Sequence, residues 1–406
     1  MRVGVLGGGL QGCCIALALA ERGAAVSLFD RNEQLLSRTA IGNEGKIHLG
    51  YMYANDPSYA TARIMIQGAF SFAPFLARHL GVSVHALPVS HPAAYVVHRD
   101  SQRTLEQASA YLRAVHAMVR AASSDSDRGY FSRDVSNELR QWSRSELEAQ
   151  FDPGVALAAF DTPEVAIDPA WLAERVRGRI AGEPRIEVRS RHDILSVEDD
   201  GLTVVSSALQ RKQRDRFDHV VNALWDGRFA INEKLGLRPA RPWLHRLKYG
   251  VSFRLPPEAP RPPSATFISG PFGEVVSHPD GLTYLTWYPT CLRAITDAIA
   301  PPDWPTYPGD PIASEVLEGT LRAMAGFVHS LRLLRREHMQ EAVVKGGAIV
   351  AWGDTDIYDP GSELHRRFEI GVTSTGRFHS VDPGKLTMAP YFADVCATRI
   401  LEDSRF

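Results

Sequence analysis

Apolar residues cluster at the start of the chain in a short run, Arg2 to Leu6, which turns through Gly7-Gly8-Gly9-Leu10-Gln11-Gly12. An apolar, helix-forming stretch over 13–22 follows and Gly23 stops it; a second apolar run, 25–29, ends on Asp30. Short apolar runs bounded by turn residues read as buried strands, so this opening predicts strand, turn, helix, strand. Asp56-Pro57 then offers a cap and a first helical residue for a helix running to about Leu80, with Gly81 as its stop. Residues 82–97 read as two short strands, and 121–128 as a polar surface loop. Between them Leu105, Ala108, Leu112, Val115 and Val119 recur near the helical period and predict a helix over 104–122.

Asp168-Pro169 caps another helix ending near Gly182, and strands are expected over 186–189, 194–198, 202–206 and 219–223. Proline-rich connections at 256–263 and 301–311 bracket a strand-rich stretch, 266–288. Val316, Leu317, Leu321, Met324, Val328 and Leu331 mark the buried side of one long helix over 312–336. Strands at 348–352 and 369–373 and a helix over about 389–401 complete the order. Alternating helices and strands are thus interrupted by strand-rich material. The fold class this implies is α/β (α+β): a discontinuous Rossmann-like nucleotide domain carrying an inserted substrate domain on a mainly antiparallel sheet. A ligand site between the two is expected.

Gly7, Gly9 and Gly12 fit the G-x-G-x-x-G pattern of a dinucleotide-binding turn. The first glycine permits the tight turn, the second lets backbone approach a pyrophosphate, and the third lets helix and strand pack closely. The N–H groups around Leu10 and Gln11 would meet the pyrophosphate. Asp30 stands where an acid can accept hydrogen bonds from a ribose hydroxyl, with Arg31 beside it. Which dinucleotide binds is left open by this stretch, and a turn of this shape that binds nothing is the bland alternative.

Length and composition narrow the picture. At 406 residues the chain exceeds what one core usually serves, so two domains are expected. A net charge of −2 gives no overall attraction to nucleic acid or to anionic membranes. The basic runs 211–216 and Arg335-Arg336 read as solvated surface turns. The four cysteines, Cys13, Cys14, Cys291 and Cys396, have no metal-ligand spacing and suit a reducing compartment. With no signal segment ahead of the first strand and no run that could span a bilayer, a cytoplasmic location is expected. The acidic cluster from Asp354 to Asp359 lacks the glycine and distal glutamate of a calcium loop and reads as a capped turn; no metal is expected.

Several separated segments together resemble the flavin-dependent oxidoreductases of the D-amino-acid oxidase type, which include glycine oxidase, sarcosine oxidase and L-2-hydroxyglutarate oxidase. They are Gly7 to Gly12 with Asp30; Asn43-Glu44-Gly45-Lys46-Ile47-His48-Leu49-Gly50-Tyr51; Ala166-Ile167-Asp168-Pro169; Val220-Val221-Asn222-Ala223-Leu224-Trp225; and Asp382-Pro383-Gly384-Lys385-Leu386. The likeness covers nearly the whole chain in order and favours FAD over NAD. It implies that FAD is held by the glycine turn with Leu10, Gln11, Asp30 and Arg31; by Asn43, Gly45, Lys46, Ile47 and His48 along the ring; by Ile194 near adenine; by Asn222, Ala223 and Trp225; and by Asp382, Pro383, Gly384, Lys385 and Leu386 at the pyrimidine edge. Two segments depart from the family pattern. The glycine-rich run expected before Asp382 is Gly376-Arg377-Phe378-His379-Ser380, and the turn after Asn222 is Ala-Leu-Trp-Asp-Gly. On this basis 1–85, 160–240 and 340–406 form the FAD-binding domain, and 86–159 with 241–339 the substrate-binding domain.

The resemblance implies hydride transfer from a substrate carbon to flavin, with the protein orienting and tuning. Oxidising the C–N bond of a small amino acid or amine is the expectation drawn from the family's breadth. Oxidising the C–O bond of a 2-hydroxy acid is the alternative, because an alcohol must lose its proton as hydride leaves, and His48 stands where a base would serve. Lys385 is the candidate for stabilising charge on the ring. Tyr53, Tyr249, Tyr288 and Arg293 are candidate substrate contacts for a small molecule with a carboxylate, though Arg246, Lys248, Arg254, Arg366 and Arg367 compete for that role. Oxygen or a quinone would accept the electrons. A flavin monooxygenase and a non-catalytic flavin-binding protein also remain open.

Overall fold

The computed structural model describes residues 1–124 and 129–403. The chain begins β1 (Arg2–Leu6), α1 (Leu10–Glu21), β2 (Ala25–Phe29), then crosses irregular backbone to α2 (Ala60–Leu80). β3 (Ala94–His98), α3 (Leu105–Ser124), α4 (Arg144–Gln150) and β4 (Ala156–Asp161) follow. Next come α5 (Pro169–Ala181), β5 (Ile186–Arg189), β6 (Asp193–Val197), β7 (Thr203–Ala208), β8 (Arg211–Arg216), β9 (His219–Asn222) and α6 (Arg228–Lys234). The second half holds β10 (Trp243–Arg254), β11 (Ala265–Ile268), β12 (Gly273–Ser277), β13 (Leu282–Trp287), α7 (Tyr288–Cys291), β14 (Leu292–Thr296), α8 (Ile312–Ala325) and α9 (His329–Arg332). β15 (Gln340–Trp352), β16 (Gly371–Thr375), β17 (Phe378–Asp382) and α10 (Ala389–Asp403) complete it.

Two large sheets organise these elements. The first runs β16-β17-β9-β1-β2-β5, and only β16 is antiparallel to its neighbour. α1 is buried almost all round, from Leu10 to Ala20, because it lies between this sheet and α10, α2 and α5. Small residues make that possible: a side chain at Gly12 would sit 1.8 Å from the Gly7 carbonyl oxygen. The sheet's opposite face packs through Leu6, Phe29, Val220 and Phe378 against the three-stranded β6-β7-β8 sheet. The second large sheet runs β14-β10-β13-β12-β11-β3-β4, with β15 along β10, and it is antiparallel except where β11 meets β3. α8 covers it through Val316, Leu317 and Met324.

Residues 39–48 join the two halves and set the site. Gly42 and Gly347 let this segment press onto β15: added side chains would lie 2.3 Å from the Gly346 carbonyl and 2.4 Å from Thr39. Ile47 N–H donates to the Val165 carbonyl (2.9 Å) and Ile167 N–H to the Gly45 carbonyl (2.9 Å), which aligns Lys46 and His48 inward.

Several sequence expectations need correction. Pro57 is not the first residue of α2, because Asp56 closes a turn instead, accepting from Ser58 N–H (3.1 Å) and Thr61 N–H (2.9 Å), and Tyr59 is left-handed at φ 59°. Residues 82–97 hold one strand, β3, not two, since 84–86 form a 3₁₀ turn. The long helix over 312–336 breaks after Ala325, where Val328 is extended (φ −101°, ψ 110°) and a separate turn, α9, begins. The basic run 211–216 is a strand at a sheet edge, where every second residue can stay solvated. The departure segment 376–380 contributes to β17, which extends the parallel sheet beside β9. β15 pairs with β10 over its length, so 340–352 belongs with the second sheet and not with the nucleotide part. Residues 121–124 end α3, and the rest of the expected polar loop, 125–128, lies outside the described residues.

Candidate active site

A cavity of about 520 Å³ runs along the carboxyl ends of β1, β2 and β9, where ligands sit in open α/β sheets. Gly7, Gly9, Leu10, Gln11, Asp30, Arg31, Asn43, Lys46, His48, Ile194, Ala223, Trp225, Pro383, Gly384, Lys385 and Leu386 all line it. Five segments far apart in the chain therefore meet on one space. Gly12, Gly45, Ile47, Asn222 and Asp382, expected at the cofactor, do not line it. Asn222 is fully buried and donates to the Arg228 carbonyl (3.0 Å) and Asn232 Oδ1 (2.9 Å). Asp382 accepts from Arg228 (2.8 Å) and from Gly384 N–H (3.0 Å), closing the turn ahead of Lys385.

The cavity's donors fit a dinucleotide. Gly9 is the N-cap of α1 and no side chain caps that end; nothing lies within 4 Å of where a Gly9 side chain would stand. Open space beside unpaired N–H groups at a helix N-terminus is the arrangement a pyrophosphate requires. Asp30 accepts from Gly8 N–H (2.9 Å) and Asn32 N–H (2.7 Å), which fixes its carboxylate at the cavity wall. Trp225, left-handed at φ 55°, donates from Nε1 to the Ala348 carbonyl (2.8 Å) and so ties its turn to β15.

Charged groups concentrate at the inner end. Lys46 is buried, paired with Glu274 and hydrogen-bonded to Thr266. Burial is the largest single influence and opposes its charge, but Glu274, Glu164 and Glu44 together outweigh it and hold the proton on. His48 is 2% exposed; Nδ1 lies 3.5 Å from Glu164 and Nε2 lies 3.9 Å from Glu44. Its backbone N–H donates to Thr387 Oγ1 (2.9 Å), joining the ring segment to the C-terminal turn. Glu164 is fully buried and accepts from Leu49 N–H (2.6 Å) and from the Tyr95 hydroxyl. Burial raises its pKa, yet His48, Lys46 and Tyr95 together hold it below the ordinary carboxylate value. Lys385 is half-buried, and burial with the neighbouring Arg367 charge pushes its ammonium down to about 8.

Beyond Lys385 a second chamber of about 90 Å³ opens, sharing Met52, Lys248, Glu274, Ile349 and Lys385 with the first. Tyr53 and Tyr288 line it. Two candidate substrate residues do not reach either space. Tyr249 is buried with its hydroxyl donating to the Pro305 carbonyl (3.0 Å), because that face of β10 turns away from the chamber. Arg293 is held on the surface by Glu315 (2.6 Å). Sequence reading passed over Glu164, Glu274 and Thr266 as site residues. Glu164 lies two residues before the quoted Ala166-Ile167-Asp168 motif, but nothing local shows that it turns toward His48. In the acidic cluster Asp356 accepts from Arg246 (2.6 Å) and Tyr288 (2.8 Å).

A Rossmann-type sheet whose glycine turn and C-terminal segment face one cavity is the architecture of a dinucleotide-binding protein. The chain belongs to the DAO family of FAD-dependent oxidoreductases, which it matches over residues 2–343. It is an FAD-dependent oxidoreductase. Its fold is similar to that of iminodiacetate oxidase from Chelativorans sp. BNC1 (TM-score 0.68, 15% identity, 99% of this chain and 95% of that one) and of glycine oxidase from Geobacillus kaustophilus (TM-score 0.68, 14% identity, 99% and 95%). It is also similar to FAD-bound L-α-glycerophosphate oxidase from Mycoplasma pneumoniae (TM-score 0.67, 18% identity, 99% and 94%). A shorter match, 31% identical over 90 residues, links it to FAD-dependent monooxygenase FPY4 of Fusarium mangiferae; it spans 21% of this chain and 24% of that relative. No helix among the described residues is long and apolar enough to cross a membrane.

Proposed function

We propose that this FAD-dependent oxidoreductase oxidises the C–O bond of a small hydroxy acid, with His48 as the proton acceptor. The observation that carries the reading is the buried contact between His48 and Glu164 at the inner end of the cavity. Glu164, 3.5 Å from Nδ1, is nearer than Glu44, 3.9 Å from Nε2, and so favours the proton on Nδ1; neither ring nitrogen makes a protein hydrogen bond, which leaves Nε2 to take a proton from substrate. Glu164 then stabilises the imidazolium that forms. An amine sheds its proton to water readily, so this apparatus matters most when the reacting group is an alcohol. Bound FAD supplies the hydride acceptor.

Oxidation of a C–N bond is the second reading. It is favoured by Glu44, a carboxylate lining the cavity that could face a substrate ammonium. Anaerobic mixing of the FAD-loaded protein with panels of 2-hydroxy acids and amino acids separates the two. Bleaching of the flavin by hydroxy acids is expected; bleaching by amino acids alone would move the assignment to C–N. His48→Asn should slow reduction by roughly 10²–10⁴-fold with FAD retained. Glu164→Gln should slow it less and change the pH profile of reduction. An unchanged rate in His48→Asn removes the base role.

A further inference from the structure

We propose that Tyr95 is a positioning residue that sets the basicity of His48 by sharing the charge of Glu164. Its consequence for catalysis rests on reading His48 as the proton acceptor; the coupling itself is measurable without substrate.

The strands bring these groups together. On the second sheet Tyr95 of β3 pairs with Thr266 of β11, and Thr266 pairs with Glu274 of β12. Cross-strand partners share a face, so the three side chains form one row turned toward residues 46–48. Lys46 occupies one end of that row, bonded to Thr266 and Glu274. Tyr95 stands at the other end and donates its hydroxyl hydrogen to Glu164 Oε1. Glu164 reaches that position because residues 162–164 lie along the start of β3. Thr162 Oγ1 donates to the Ala93 carbonyl (2.7 Å), and Ala93 N–H donates to the Glu164 carbonyl (2.9 Å).

The balance of charge gives the hydroxyl its role. Glu164 and Glu274 are both buried, and Lys46 is taken by Glu274. Among the described residues, His48 is the one group in ion-pair contact with Glu164, its Nδ1 lying 3.5 Å from Oε1. With Lys46 committed to Glu274, a bare Glu164 would draw a proton onto His48, and a protonated imidazole accepts nothing. Two neutral donors take part of that charge. Leu49 N–H meets Oε2 (2.6 Å), and the Tyr95 hydroxyl meets Oε1, the same oxygen that faces His48. Hydrogen bonds to a charged acceptor in a dry interior are among the stronger ones, so this donor offsets part of the pull on His48.

The neighbouring groups leave that task to Tyr95. The Tyr51 hydroxyl bonds to His116 Nδ1 (2.7 Å), and Tyr130 donates to the Ile47 carbonyl (2.7 Å). His48 also feels Glu44 on its own segment (3.9 Å), Glu274 on β12, and His365 beyond the Tyr53 ring. The Tyr95 hydroxyl bonds to none of these, so removing it acts on His48 through Glu164.

The test follows the His48 ring in the substrate-free, FAD-loaded protein by NMR of isotope-labelled histidine, the signal being assigned by its loss in His48→Asn. Tyr95→Phe should raise the pH at which that ring titrates, its proton affinity increasing by roughly two- to ten-fold, the worth of one hydrogen bond. In a Glu164→Gln background the same substitution should leave the titration unaltered, because the carboxylate through which Tyr95 acts is gone. A ring-fluorinated tyrosine at position 95 is a stronger donor and should move the titration to lower pH. An unchanged or lowered midpoint in a Tyr95→Phe protein that retains FAD overturns the proposal, as does an equal shift in the Glu164→Gln background. If Tyr95→Phe loses FAD, the fluorinated protein decides: a lowered midpoint supports the coupling, and an unchanged or raised one overturns it. A merely structural Tyr95 would slow flavin reduction at every pH without moving the titration. Reduction that is unaffected by His48→Asn would end the C–O reading and leave the titration result standing, so the two failures are distinct.

Discussion

Lys385 carries a charge that its surroundings resist, and the consequence is measurable. Burial first, and Arg367 second, bring its pKa from 10.5 to about 8. A lysine whose folded pKa is depressed costs stability wherever it must stay protonated. That cost is present in full below pH 8 and is relieved as pH rises toward 10.5, because the unfolded chain then holds more protons than the folded one. The FAD-free protein should therefore gain stability on the order of 1 kcal/mol between pH 8 and 10 from this residue, and Lys385→Met should lack that gain in urea unfolding. An identical pH slope in both proteins would show that Lys385 is as solvated as a surface lysine. The residue itself was legible from its place in the C-terminal segment, as His48 was from its glycine-spaced run. Their partners were not. Glu164 meets the segment of His48 across 115 positions and Glu274 meets Lys46 across 228, and no local pattern encodes contacts at such separations.

The opening strand-turn-helix illustrates how one motif asks different things of similar residues. A side chain at Gly9 would enter open cavity, whereas one at Gly12 would strike the Gly7 carbonyl oxygen at 1.8 Å. Gly9 has φ −73° and ψ −177°, a conformation any residue adopts. Gly9→Val should thus leave the melting temperature of the FAD-free protein nearly unchanged while weakening FAD at least ten-fold. Gly12→Ala should destabilise the fold itself by about 1–3 kcal/mol, because backbone must move to admit the methyl group. Thermal melts with and without FAD separate these outcomes. Helix and strand existence was readable from periodicity throughout this region. The errors fell where side chains or tertiary pairing overrode it: Asp56 closing a turn ahead of α2, the break after Ala325, and the exposed basic strand β8 held by pairing with β7.

Across the whole molecule, the proline-rich stretch between β14 and α8 reaches back to the nucleotide half. Asp303 pairs with both Arg31 (2.7 Å) and Arg38 (2.7 Å), and Pro301, Pro302 and Asp303 line the cavity beside Asp30. Asp303 is 73% exposed, so these pairs are worth at most about 1 kcal/mol. Asp303→Asn should raise the FAD dissociation rate by no more than about five-fold, and roughly 1 M salt should abolish the difference. A difference that persists at high salt would mean the stretch acts through packing instead. Local pattern carried the dinucleotide turn and most of the helices and strands, because steric demands on glycine and the spacing of apolar residues are written into neighbouring positions; the broad class of chemistry came from the family resemblance of several separated segments. Folding decided the rest. Which strands joined which sheet, whether Lys248 or Arg293 faced the chamber, and which carboxylate met His48 depend on where distant segments come to lie, and on which charges burial then leaves unpaired.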